Sequence, residues 1–400
     1  MDLIIVPFHD CKKWISEGYR TRDAHLVQHI CKSDKVGKVL VVNRPVSLAE
    51  AILKRISWKT PKTEILDSDG LYCLSKVKDK LYVVDSFLPD TVKVVKEKKA
   101  WWFSAFEDSR TINSIKRAID YLDLEDPVIL LQNPMAIGAV KYIDHSVFAF
   151  DAIDNWLFHP QMKTNHELVK RGYDYMQGNA DVIFTVSKAL KDFFSTNGNT
   201  HWIPNGVDSA FFRPARRPYD NGPVTIGYMG KIQDRVDFEL VEQCLQAYEN
   251  IDFVFAGPVY AQKNYVKKLK KEYKNITFTG DVYYNNLPQV MRQFDLTLIP
   301  HKVDSFTSSM NPLKLYEYLA AGKPVITTKV AGVNNISPYV FVSDTNQDFI
   351  HNIEIVINEL KSGNITPDLV AETVPENCSW EYKTNQILSI INSRLSGDSK

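Results

Sequence analysis

The chain has 400 residues, enough for two domains that each bury their own core. Apolar residues make up 44% and charged residues 24%, and no apolar run reaches the roughly eighteen positions a membrane span needs, which excludes a membrane-spanning or disordered class. The 48 basic and 48 acidic side chains cancel, so no global field is available to hold a nucleic-acid backbone, and any phosphate binding must be local.

The opening segment, MDLIIVPFHD, turns polar after a short apolar run and lacks a basic leader and a small-residue cleavage site. It reads as a first strand rather than a secretory signal. Five scattered cysteines, Cys11, Cys31, Cys73, Cys244 and Cys378, suit reduced thiols in a cytoplasmic protein better than a disulfide framework or a zinc site, and no structural metal is expected. Continuous apolar runs then recur with helix-like stretches between them: Leu3–Val6, Val39–Val42, Leu81–Val84, Val128–Leu131, Val147–Phe150 and Val182–Val186. Such runs predict strands covered on both faces, as in a parallel α/β sheet. Asp67-Ser68-Asp69 reads as a turn.

Residues 204–223 are rich in Pro, Asn, Gly and Asp, which places a domain boundary near 205/206. The rhythm restarts at Val224–Tyr228, Phe253–Ala256, Ile276–Thr279, Leu296–Ile299, Val325–Thr327 and Val340–Val342. Two α/β domains, 1–205 and 206–379, are therefore predicted, with a last helix near 380–397 packing back on the first. Open α/β sheets bind ligands at the carboxyl ends of their strands, so a cleft shared by the two sheets is the expected site.

The most informative segment runs from Asn311 to Pro324. Asn311 suits a helix N-cap, Pro312 the first helical position, and Gly322 with Pro324 a stop. The unpaired N–H groups at such a helix start favour a diphosphate, and Lys314 adds a positive charge. Glu317 lies on the same face about 5 Å further along, where its carboxylate suits a ribose diol. A surface Lys314–Glu317 ion pair fits the same spacing.

This segment resembles the donor-binding motif of the large retaining GT-B glycosyltransferase family usually numbered four, and within it the bacterial teichuronic acid and polysaccharide-assembly branch. The family's two glutamates stand eight positions apart; Glu317 matches the second, and Ser309 stands at the first. Further similarity lies in 180–187, in Ile203-Pro204-Asn205-Gly206-Val207-Asp208, in Gly227-Tyr228-Met229-Gly230-Lys231 with Arg235 and Asp237, and in Phe255-Ala256-Gly257-Pro258. The resemblance implies two Rossmann-like domains and a retaining hexosyl transfer from a UDP- or GDP-sugar, without metal, to a glycan or lipid-linked acceptor in capsule or exopolysaccharide assembly.

It further implies donor contacts at Gly230, Lys231, Arg235, Ser309, Asn311, Pro312, Leu313, Lys314 and Glu317. Lys231, Arg235 and Lys314 suit the leaving diphosphate, whose developing charge cations offset. Asp151 and Asp154 follow a strand and suit an acceptor hydroxyl, although a helix cap and a turn would employ them equally well. Arg22 and His25, after the first strand, are further candidates for phosphate or acceptor contact, a packed histidine being the competing reading. Lys93 to Phe106 interleaves cations and aromatics in a pattern suited to the inner membrane surface or a lipid-linked acceptor, or to a solvated face over a buried aromatic cluster. A nucleotide-sugar epimerase of the same architecture and a non-catalytic nucleotide-sugar binding protein stand as alternatives.

Overall fold

The computed structural model describes residues 1–397. The chain separates into two compact units, Met1–Ile203 with the segment from Thr384 onward, and Pro204–Lys383. The helix Trp380–Leu395 runs across the second of these divisions.

In the first unit the strands are β1 (Leu3–Val6), β2 (Val39–Val42), β3 (Val46–Ser47), β4 (Glu64–Ser68), β5 (Tyr72–Lys78), β6 (Leu81–Leu88), β7 (Val128–Leu131), β8 (Val147–Ala152), β9 (Val182–Thr185) and β10 (Thr200–Trp202). They order as β10-β9-β8-β7-β1-β2-β6-β5-β4, with β3 paired to β6. The central strands are parallel and entirely buried, as continuous apolar runs require. The antiparallel edge made by β4 and β5 escapes an apolar-run reading, because β4 is mostly polar and exposed. Asp67-Ser68-Asp69 is consequently not a simple turn: Asp67 and Ser68 belong to β4, and Asp67 and Asp69 both pair with Arg117.

The second unit holds β11 (Thr225–Met229), β12 (Asp252–Ala256), β13 (Ile276–Gly280), β14 (Leu296–Ile299), β15 (Val325–Thr328) and β16 (Val340–Ser343), all parallel in the order β13-β12-β11-β14-β15-β16. The neighbours β11 and β14 carry the residues that matter below. Beyond their carboxyl ends two loops are stitched together: Asp237 N–H donates to the Pro300 carbonyl at 2.8 Å, and Lys302 N–H to the Arg235 carbonyl at 2.8 Å.

The helix after β14 spans Leu313–Ala320 and ends on Gly322, whose φ of 73° suits a residue without Cβ. Its start differs from expectation. Pro312 occupies the N-cap position, and Asn311 caps nothing. Instead Asn311 Oδ1 accepts the Asn205 N–H at 2.8 Å, its carbonyl accepts Asn205 Nδ2 at 2.7 Å, and its Nδ2 donates to the Tyr316 hydroxyl at 3.0 Å. Pro312 offers no side-chain acceptor, so the helix start has no side-chain cap and the Leu315 N–H donates to the Pro312 carbonyl at 3.1 Å, while Asn311 pins the helix entry to the segment that opens the unit.

All five cysteines are unpaired. In the Lys93–Phe106 stretch Trp101 and Phe106 are buried, so these aromatics belong to the core, as the alternative reading has it.

The tightest backbone approach in the second unit joins the ends of β11 and β12. Gly257 has φ 149°, and a Cβ there would lie 2.0 Å from the Gly230 carbonyl oxygen. Gly257→Ala is expected to lower stability by about 2 to 4 kcal/mol through overpacking and backbone strain, read as a drop in the denaturation midpoint.

Candidate functional site: a buried cation cluster beyond β11 and β14

Tyr228, near the end of β11, is fully buried and offers its ring face to the Lys314 ammonium 3.8 Å from the ring centroid. Such a contact is worth about 2 kcal/mol when desolvated, part of what burying the ammonium costs. Two residues on, Gly230 takes φ 134°, and a Cβ there would sit 3.0 Å from Lys314 Nζ. The first turn of the Leu313–Ala320 helix therefore reaches the end of β11 at a glycine, where a side chain would displace the lysine.

Arg235 and His301 join this place because the loops that carry them are stitched; Val236 and His301 form an antiparallel bridge. His301 is fully buried, with Nε2 3.5 Å from the Tyr228 hydroxyl and Nδ1 without a hydrogen-bond partner among the described residues. Arg235 donates from Nη2 to Gln233 at 2.9 Å, while its buried Nε likewise has no partner among them. Burial pushes the Lys314 ammonium well below the usual lysine range, and the Arg235 guanidinium pushes the same way against the opposing pull of Glu317. Burial also holds the His301 imidazole well below its ordinary 6.5, helped by the charges of Lys314 and Arg235. Three basic groups thus crowd one desolvated spot, an arrangement that a multiply charged anion would stabilise.

Glu317, 6% exposed, is the acidic counterpart. The Tyr284 hydroxyl hydrogen-bonds to its carboxylate, and burial pushes the Tyr284 phenol well above its ordinary range, with the Glu317 charge adding to the shift. Tyr284 is itself held by a parallel stack on Phe211, with centroids 4.9 Å apart.

The structure thus brings Gly230, Arg235, Lys314 and Glu317 into one neighbourhood. Lys231 is partly exposed, and its carbonyl accepts the Tyr228 hydroxyl at 3.3 Å. Leu313 and Pro312 form the helix entry. Ser309 turns inward, its hydroxyl donating to the carbonyls of Phe306 at 3.0 Å and Ser305 at 3.2 Å. Asn311 is committed to Asn205 and Tyr316, as described above. Tyr228, Tyr284 and His301 are additions; the position of His301, directly after the Leu296–Ile299 strand and Pro300, was the one signal for it in the sequence.

In the first unit Asp151, at the end of β8, is completely buried. Arg22 contacts it through Nη2 at 2.9 Å and Nε at 3.1 Å, and Gln132 Nε2 donates at 2.9 Å. The Asp151 oxygens are thus engaged by a guanidinium and an amide. Both partners of this ion pair are buried, Arg22 being 6% exposed. Asp154 is partly buried, and its carbonyl accepts the Tyr173 hydroxyl at 2.8 Å. His25 is 4% exposed, and burial, with His29 adding, pushes its imidazole down to about 3, so it is neutral near pH 7. Beside it Asp23 accepts from the His9 backbone N–H at 2.8 Å and pairs with the His9 ring at 3.3 Å.

Residues 223–359 match the family model of glycosyl transferases group 1. TuaH of Bacillus subtilis (strain 168), named for glycosyl transfer in teichuronic acid biosynthesis, is 25% identical over 198 residues, 47% of this chain and 49% of that one. The match therefore spans about half the length of this curated relative. Sucrose-phosphate synthase from Thermosynechococcus elongatus superposes with a TM-score of 0.72 at 12% identity over 100% of both chains. The catalytic domain of starch synthase IV from Arabidopsis thaliana gives 0.68 at 13% identity over 99% of both. HepE of Anabaena in complex with UDP-glucose gives 0.63 at 12% identity, covering 98% of this chain and 100% of that one. The chain has the GT-B fold class of two Rossmann-like parallel-sheet domains, as the motif resemblance implied, and the match to the group 1 model lies within its second unit.

The His25 environment fixes the sign of a pH effect. Its folded pKa of about 3 lies below the ordinary 6.5, so between these values the unfolded chain binds the extra proton and stability falls as pH falls. His25→Gln is expected to flatten that decline by up to about one bound proton, read from denaturation midpoints across a pH series.

Proposed function

We propose that the protein is a glycosyltransferase that moves a sugar from a nucleoside-diphosphate sugar to a glycan or lipid-linked acceptor in cell-surface polysaccharide assembly. The observation that carries this reading is the Lys314 ammonium seated over Tyr228 beside Gly230, with Arg235 and His301 adjoining and Glu317 one turn along the same helix. A diphosphate brings the negative charge that the three basic groups lack, and Glu317 suits the ribose diol.

In the reaction the bond between the sugar's anomeric carbon and the diphosphate oxygen breaks, and its electron pair leaves with the nucleoside diphosphate. Charge builds on that oxygen, and Lys314 with Arg235 offsets it through preorganised contacts. Gly230 lets the diphosphate approach the backbone. The acceptor hydroxyl oxygen forms the new glycosidic bond and its proton passes to the departing diphosphate oxygen; in the retaining course that the family resemblance implies, the anomeric configuration is kept. TuaH carries a name from teichuronic acid biosynthesis, which supports a glycan acceptor, and HepE was solved with UDP-glucose, which supports a UDP-sugar as donor. No metal enters the scheme, because the cations of the chain serve the leaving group.

Melting temperature measured with UDP-, GDP-, ADP- and CMP-sugars is expected to rise for a nucleoside-diphosphate sugar and not for the CMP-sugar, since a ligand bound only by the native state stabilises it. A rise with none of them would overturn the reading. Lys314→Ala and Glu317→Ala are each expected to raise the barrier for donor use by about 1 to 3 kcal/mol, read as kcat/KM, while the variants stay folded. Unchanged kinetics in either folded variant would remove that residue from the site.

A further inference from the structure

The geometry points to Tyr284 as a positioning residue that locks the Glu317 carboxylate and so makes the donor site select ribose over 2′-deoxyribose. The inference rests on the reading of Glu317 as the ribose partner and deepens it by naming what holds the carboxylate in place.

A glutamate on a helix has several staggered rotamers, and a contact to two hydroxyls uses only one of them. Three aromatic side chains supply the restriction. Tyr284 opens the short turn Tyr284–Asn286 after β13, is 6% exposed, and hydrogen-bonds through its hydroxyl to the Glu317 carboxylate. Its ring lies flat on Phe211, with centroids 4.9 Å and planes 1° apart, and meets Phe212 edge-on at 6.2 Å. Gripped on a face and an edge, the ring holds its hydroxyl in one place. Burial pushes the phenol well above its ordinary range, so it stays protonated and donates.

Phe211 and Phe212 are in turn fixed along the Leu313–Ala320 helix. They end the short helix Ser209–Phe212, which packs against the longer one and is capped by Asp208 Oδ1, 3.2 Å from the Phe211 N–H. Before them the Asn205 N–H donates to Asn311 Oδ1 at the entry of the longer helix, and after them Arg216 Nε donates at 3.2 Å to the carbonyl of Ala320 at its end. Residues 205–216 therefore form a splint tied to both ends of the helix, and Tyr284 carries that rigidity to the carboxylate in the middle.

Packing alone does not call for the hydroxyl. Phenylalanine would fill the same buried space with no polar atom to satisfy, so the phenol oxygen serves the carboxylate. The helix moreover sends its two charges to different rings, the Lys314 ammonium to the face of Tyr228 and the Glu317 carboxylate to the hydroxyl of Tyr284. Released from Tyr284, the carboxylate would be drawn toward the lysine three positions back and lost to the diol.

Titration calorimetry of the full chain with UDP, GDP and ADP and with their 2′-deoxy forms tests this. The parent is expected to bind one ribonucleoside diphosphate at least about tenfold more tightly than its deoxy counterpart, the scale of a hydrogen bond to a charged group. Tyr284→Phe, which keeps the ring stack and the fold, is expected to weaken the ribose form about tenfold and to leave the deoxy form within about twofold. Phe211→Leu moves the ratio in the same direction. Adding Tyr284→Phe to Glu317→Ala is expected to cost nothing more, because the tyrosine acts through the carboxylate. The inference is overturned if the parent binds both sugars' forms equally, if Tyr284→Phe weakens both alike or neither, or if its effect persists without Glu317. Binding of a diphosphate with no ribose preference would remove this inference and leave the transferase reading standing, whereas binding of none of them would overturn both.

Discussion

The second unit depends on placing an ammonium, a guanidinium and an imidazole around one buried tyrosine ring. Burying like charges together is unfavourable, and the fold tolerates it through three local devices. The Tyr228 ring face partly replaces water around Lys314. The stitched loops beyond β11 and β14 hold Arg235 and His301 in place through backbone hydrogen bonds rather than through their charged ends. Glu317, one turn along the helix, pulls the Lys314 charge the other way. What remains is an electrostatic deficit that an anion with several charges relieves, and this is why the arrangement reads as a binding site rather than as a structural ion pair.

The first unit treats its buried charges in the opposite manner. Asp151 is saturated by Arg22 and Gln132, and Asp23 by His9 and neighbouring donors. A buried carboxylate so engaged is a rigid anchor, and breaking one partner away would strand the other charge in a dry interior. Those contacts fix the segment after β1 against the end of β8.

Glycine enters the argument only where backbones approach closely. Gly257 admits the Gly230 carbonyl, and Gly230 admits the lysine. With side chains at either position the end of β11 and the lysine seat would move apart, so both placements depend on two absent Cβ atoms.

The strands were legible from the chain because their signal is local: a run of branched apolar residues is buried whichever neighbours it finds, and Leu3–Val6, Val39–Val42, Val128–Leu131 and Leu296–Ile299 appear with the bounds the sequence suggests. The helix carrying Lys314 and Glu317, and its stop at Gly322, follow equally from spacing and conformational preference. The polar edge strand β4 was illegible, since it buries no apolar face that would mark it. What side chains do was decided by partners far away in sequence. Asp151 meets Arg22 across 129 positions, Asn311 meets Asn205 across 106, and His301 lies beside Tyr228 across 73. Each outcome was set by sheet register and loop stitching, which depend on the free energy of the whole packed unit, whereas the sequence by itself determined which elements form and where cations and carboxylates stand along them.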